Sequence, residues 1–268
     1  MTEPLPVDRP ADPTVFAEER KAEIARLVVE RGKVTVAALS SRFGVSGATV
    51  RSYLRDLQQQ GLLLRTHGGA IRDTKTGQEY PFAQREVQNL AAKQSIAAAA
   101  VNLVDDGDRI ILDTGTTALE LARLLGRKRD LVVVTNDLKI AWLLEEASGT
   151  EIILLGGPLR KGFHCTLPAS GEGLFKQLSA DKAFMAANSF DPDRGATTPD
   201  IHQAAAKRAM MAAAEKVVLL CDQSKLGRVS FAQFATLDQI DTLVTDGLPD
   251  DWAARLEDTG VEVLVAGR

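Results

Sequence analysis

The stretch 35-TVAALSSRFGVSGATVRSYLRDL-57 reads as two helices separated by a tight turn. Thr35 is placed to cap the first helix, Val36, Leu39 and Phe43 share one face of it, and Gly44 is its stop. Ser46 is placed to cap the second, in which Val50, Leu54 and Leu57 fall on one side, and Gly61 ends it. Only Gly44 and Val45 lie between the first helix and the next cap. So short a turn sets the second helix steeply against the first and makes it project outward, which is a helix-turn-helix. Upstream, Ile24, Leu27 and Val28 recur at i, i+3 and i+4, the apolar stripe of one more helix ending near Gly32.

The projecting helix carries its chemistry on the face away from the core. Ala48, Ser52 and Arg55 lie there, with Thr49 and Arg51 on the flanks and Ser46 and Gly47 at its start. Small side chains near the N-terminal end permit close approach to base edges, and Arg51 and Arg55 reach guanine edges or phosphates. This is the helix expected in a major groove. Next, Leu62–Leu64 and Ala70–Ile71 flank His67-Gly68-Gly69, the pattern of two short strands forming a wing. Arg65 and His67 would lie near the DNA backbone; His67 reads equally well as a turn residue bonding its own backbone. From Arg20 to Arg72 there are ten Lys/Arg against three Asp/Glu, a net +7 in a chain of net charge −4, so the remainder carries −11. A pI near 5.5 argues against a nucleic-acid partner. A basic module joined to an acidic one argues for it.

At 268 residues the chain is long enough for about two domains. Residues 1–15 hold Pro4, Pro6, Pro10 and Pro13 and little to bury, so they read as a flexible arm. The winged helix-turn-helix is expected over 16–72, a polar linker over 73–90 around Gly77 and Pro81, and an α/β effector domain over 91–268. No apolar run approaches the roughly 18 residues of a spanning helix, and the acidic, proline-rich start is no secretory signal. Cys165 and Cys221 are too few for a disulfide framework. The expected location is the cytoplasm, with no membrane partner.

In the acidic remainder, apolar runs alternate with segments of helical pattern. The runs are Arg109–Leu112, Leu131–Val134, Glu151–Leu155, Ala183–Ala187, Lys216–Cys221, Thr242–Val244 and Val261–Val265. That alternation predicts a doubly wound, mostly parallel sheet, whose ligands bind beyond the carboxyl ends of the strands. Asp113-Thr114-Gly115-Thr116-Thr117 follows the first run and opens a helix; it suits either an anion at a helix N-terminus or plain capping. Asn136, Gly157 and Arg160, and Lys225 follow later runs, and Lys207 lies on the helix before the fifth. Hydroxyls, an amide and several cations around one crevice suit a polyhydroxylated anion. His164 and Cys165 are adjacent and His202 has no partner at ligand spacing, so no metal is expected, and no cofactor.

RFGVSGATVR and RTHGGAI resemble the DNA-binding domain of the DeoR-type family of sugar-catabolism repressors. TGTT, TND, GG followed by Arg160, FDPDRGATTP, Lys207-Arg208 and DQSK resemble that family's effector domain. The resemblance implies a fold like ribose-5-phosphate isomerase, phosphate held by Thr114, Gly115, Thr116 and Thr117, and a sugar lined by Asn136, Gly157, Lys207 and Lys225. Three departures stand out. Ser52-Tyr53 replace the family's usual Arg-Asp, so the operator sequence does not carry over. Asn188 replaces an aspartate beside the pocket, removing a possible general base. Phe163-His164 is bulkier than usual and implies an effector outside the commonest sugar phosphates.

The expected function is repression of a sugar or sugar-conjugate catabolic operon. A homo-oligomer, dimer or tetramer, would bind operator DNA and release it on binding a phosphorylated sugar. The alternative is a sugar-phosphate isomerase or deaminase with an appended DNA-binding domain, with Asp113, Asp137, Asp191 and Asp222 as candidate acids.

Overall fold

A computed structural model describes residues 17–59, 63–71, 79–147, 149–167 and 173–267. The expected arm, 1–15, lies outside them. The chain divides into two units, 1–80 and 81–268.

The first unit runs α1 (Ala17–Arg31), β1 (Lys33–Thr35), α2 (Val36–Phe43), α3 (Gly47–Gln59), β2 (Leu64–Thr66) and β3 (Gly69–Ile71). Both expected caps are formed. Ala38 N donates to Thr35 Oγ1 at 3.2 Å, Thr49 N donates to Ser46 Oγ at 3.1 Å, and Gly44 ends α2 at φ 61°. Ile24, Leu27 and Val28 of α1 bury against Leu39 and Phe43 of α2 and Val50, Leu54 and Leu57 of α3. The wing is present as the β2–β3 hairpin, and β1 adds a third antiparallel strand on β3 that the sequence pattern does not announce. β1 lies so close that a Cβ on Gly69 would sit 2.0 Å from Val34 O, which explains the second glycine of the turn.

In the second unit come α4 (Phe82–Val87), α5 (Leu90–Ala100), β4 (Arg109–Leu112), α6 (Thr116–Leu125), β5 (Leu131–Thr135), α7 (Leu138–Glu145) and β6 (Thr150–Leu154). There follow β7 (Leu159–Arg160), β8 (Cys165–Thr166), β9 (Ala180–Ala186), β10 (Ser189–Asp191), β11 (Gly195–Thr198) and α8 (Ile201–Ala212). The unit closes with β12 (Ala214–Leu220), β13 (Ala232–Ala235), β14 (Thr242–Thr245), α9 (Trp252–Glu257) and β15 (Glu262–Val265). Seven strands form one sheet in the order β15-β14-β12-β9-β4-β5-β6, and every pairing in it is parallel.

Alternate strand residues face opposite ways, and each face has its own core. Ile110, Leu112, Phe184, Val218 and Leu220 pack under residues of α4, α5, α6 and α7. Ile111, Ala183, Met185, Val217 and Leu219 pack under α8, α9 and a small antiparallel sheet of β10, β11 and β13. The first unit is therefore a winged helix-turn-helix and the second a doubly wound α/β unit. The stretch expected as linker, 73–90, departs from that expectation: residues 82–87 are helical and Phe82 is fully buried. One aromatic anchor among polar neighbours leaves no helical period to read. Residues 72–78 lie outside the described ones.

Candidate functional site

In the DNA-binding unit, α3 buries Val50, Leu54, Leu57 and also Tyr53, so the tyrosine at the departure from the family motif points inward. Ala48, Arg51, Ser52 and Arg55 are exposed on the other face, and Ser46 is exposed at its cap; Gly47 and Thr49 are half-buried. Arg65 and His67 are exposed on the wing. Three other cations of the unit are already matched. Arg42 lies 3.0 Å and Arg26 2.6 Å from Glu23, and Lys21 lies 3.5 Å from Asp56. Arg51, Arg55 and Arg65 are exposed and enter no ion pair among the described residues.

In the second unit, the parallel sheet brings the exits of β4, β5, β9 and β12 to one rim. Asp113, fully buried, accepts from Thr114 N at 2.8 Å and Ala186 N at 2.9 Å, and takes the ammonium of Lys207. Lys207 also donates to Ala186 O at 2.8 Å. Its charge is thus neutralised by Asp113 in the buried interior, at a position that the resemblance assigns to lining a sugar.

Asp137 is the hinge of the neighbouring loops. Its two oxygens accept from Thr114 Oγ1 at 2.7 Å, Gly115 N at 3.2 Å, Lys139 N at 2.9 Å and Ile140 N at 3.2 Å. Burial pushes this carboxyl above its ordinary range, against those four bonds. The hydroxyl of Thr114 and the amide of Gly115, expected to meet a phosphate, are therefore occupied by a carboxylate. Gly115 holds φ 133°, which a side chain would strain. The next amides of α6, on Thr116, Thr117 and Ala118, have no intrahelical acceptor, since the first full turn closes at Leu119 N to Gly115 O.

Two buried oxygens at this rim have no hydrogen-bond partner, Thr117 Oγ1 and Asn136 Oδ1. Asn136 is held by its other end, Nδ2 donating to Thr166 O at 2.6 Å. Asn188 Oδ1 accepts from Thr198 Oγ1 at 3.0 Å, which also reaches Gln203 Oε1. Gln203 Nε2 lies 4.0 Å from Cys165 Sγ, and burial raises that thiol. Arg160 stacks on Phe163 at 3.7 Å and lies 4.0 Å from Asp200.

Lys225 belongs to a second cluster. It lies 3.4 Å from Asp222, whose Oδ1 accepts from Asn89 Nδ2 at 3.1 Å. Burial works against the Asp222 charge, but Lys225 and the bonds from Ser224 and Asn89 hold its pKa low. Gly157 is exposed after β6, at φ 152°. Sequence reading gives no site role to Cys165, Thr166, Thr198, Asp200, Gln203, Asn89 or Lys93, although Thr198 stands within the quoted FDPDRGATTP. Lys93 left a signal: it interrupts the stripe Lys93, Ile96, Ala97, Ala100, and a charge in an apolar phase implies a buried, partnered group. Among the described residues no cluster of His, Cys, Asp or Glu could hold a metal ion.

Two family models match this architecture, a DeoR-like helix-turn-helix domain over residues 20–76 and a DeoR C-terminal sensor domain over 88–247. The chain belongs to the DeoR family. Within it, the transcriptional regulator GlpR of Haloferax volcanii is 40% identical, over 92% of this chain and 96% of its own. A putative aga operon transcriptional repressor of Escherichia coli O157:H7 is 35% identical, over 93% and 94%. The repressor AccR of Agrobacterium fabrum is 34% identical, over 85% and 89%. A ribose 5-phosphate isomerase from Methanocaldococcus jannaschii aligns with 52% of this chain and 55% of its own at 21% identity and TM-score 0.39, a likeness that carries no argument. No helix of the described residues is long and apolar enough to cross a membrane.

Proposed function

We propose that this DeoR-family chain is a transcriptional repressor of a sugar or sugar-conjugate catabolic operon, released from its operator by a phosphorylated sugar. The observation that carries the effector half is the pair of buried, unpartnered oxygens, Thr117 Oγ1 and Asn136 Oδ1, beside the open amides of α6. Each orphan costs about 1–3 kcal/mol unless something donates to it, and sugar hydroxyls do so while a phosphate takes the amides of Thr116, Thr117 and Ala118. Of the four residues expected to hold the phosphate, this placement keeps Thr116 and Thr117, drops Thr114 and Gly115, and adds the amide of Ala118. Arg160 and Asn188 would complete the recognition of the sugar, with Lys207 and Asp113 fixing the floor, while Lys225 stays with Asp222 in the second cluster.

The DNA half rests on Arg51, Arg55 and Arg65, exposed and uncompensated around a projecting helix. One such helix reads only a few base pairs, so a homo-oligomer on two half-sites is expected. The repressors among the curated relatives support the regulatory sign. An enzyme is disfavoured because Asp113, the best-placed acid, is bound to Lys207 and two amides, and Asn188 is neutral.

The test is a gel shift on duplexes selected from random sequence, joined to a thermal-shift screen of phosphorylated sugars. A salt-sensitive, sequence-specific complex weakened by a ligand that also raises the melting temperature is expected. Thr116→Asp should abolish that ligand response while leaving the complex intact. Retention of the full response in this variant would remove the anion from α6. Ribose 5-phosphate and glucosamine 6-phosphate should remain unconverted.

A further inference from the structure

Helix α4 is held at its start by the β7–β8 turn and at its end by Lys93 of α5, and Asn89, two residues beyond it, donates to Asp222 at 3.1 Å and Ser224 at 2.9 Å of the 222–225 loop. At its start, Phe82 N donates to Gly162 O at 2.9 Å and the Phe82 ring meets His164 edge-on, centroids 5.1 Å apart. Gly162 and His164 lie in the β7–β8 turn, which bears Arg160 at one end and leads at the other to Thr166, bonded to Asn136. His164 holds this turn in the left-handed region, φ 58°, a conformation uncommon for a side-chain-bearing residue.

At the other end, the ammonium of Lys93 donates to the carbonyls of Arg85 and Gln88, groups that a helix terminus leaves open. Lys93 is buried, and around it stand Lys225 and Asp222 of the β12 exit, Arg85 of α4 and Glu120 of α6. On the flank, Glu86 pairs with Lys139 of α7 at 2.9 Å. Yet the helix is incompletely satisfied. Gln84 is only 8% exposed and neither its oxygen nor its nitrogen has a partner. A helix fastened to one loop at its start and, through Lys93 and Asn89, to α5 and a second loop at its end, while carrying unmet polar groups in its interface, has the makings of a two-state element.

We propose that α4 is the coupling element of this protein, held jointly by the 160–164 turn and the 222–225 loop, so that a ligand displacing either loop shifts the helix and the other loop with it. That these loops serve an effector rests on the reading above; the coupling itself does not.

Hydrogen exchange on the intact chain, without ligand or DNA, tests it. Lys93→Met removes the clamp at the end of α4 and touches nothing in the 160–164 turn. Amides of 82–89 should exchange at least fivefold faster, amides of 160–166 should follow by a comparable factor, and those of β4 and β5 should stay within twofold. Gln84→Leu removes the unmet amide and should slow both segments at least threefold. Faster exchange in 82–89 with 160–166 unmoved overturns the proposal. Should Lys93→Met also loosen β4 and β5, Gln84→Leu decides alone, and unchanged exchange at either segment overturns it. Because neither arm uses an operator or a sugar, failure to find those would sink the repressor reading and leave this result standing.

Discussion

Asp137 accepts four hydrogen bonds on two oxygens, and an amide in its place keeps only one acceptor. Asp137→Asn should therefore lose about 1–3 kcal/mol of stability, read as a lower denaturant midpoint at unchanged slope. Lys93 makes a pH prediction. Burial, and then the charge of Lys225, push its pKa down from 10.5 to about 8. Between those values the unfolded chain binds more protons than the folded one, so this group's contribution rises with pH across the window and is lost as pH falls through about 8. Measured against Lys93→Met, the wild type should gain roughly 1–3 kcal/mol across that range; a flat difference would mean that the ammonium is not desolvated. The caps at Thr35 and Ser46 were legible in the sequence because each acts within three residues. The Lys207–Asp113 pair was not, since 94 residues separate its members and each alone reads as an ordinary surface charge or candidate acid.

Strands long enough to show an apolar run, such as Leu131–Thr135, were legible because both faces of the sheet are covered and no polar residue interrupts them. The small antiparallel sheet was not, since Gly195–Thr198 holds only small and polar residues and Ala232–Ala235 shows a single large apolar residue, Phe234, too little for an apolar run. β1 failed for a related reason: three residues between two helices carry too little pattern to outweigh a loop. Its presence is nonetheless testable through the wing. Gly69→Ala would set a methyl 2.0 Å from Val34 O, a backbone atom that cannot give way without separating β1 from β3. The variant should lose more than about 2 kcal/mol, and it should weaken DNA binding in the gel shift while the second unit's response to ligand persists.

Each unit buries its own apolar core, with Ile24, Leu54 and Leu57 in one and both faces of the seven-stranded sheet in the other. Residues 81–268 expressed alone should therefore melt cooperatively, with an unfolding enthalpy near 0.7 kcal/mol per residue, and should bind no DNA. A broad, non-cooperative transition would show that its core needs the first unit. A sheet whose neighbours all run the same way holds no hairpin, so each pairing must wait for a crossover to close, which is slow. The three helices and wing need only contacts made within about fifty residues, and they leave the ribosome first. During synthesis, the end that grips DNA is thus complete while the end that would answer a metabolite is still being assembled. In the proposed repressor, each recognition helix is formed before the pocket that would sense a metabolite.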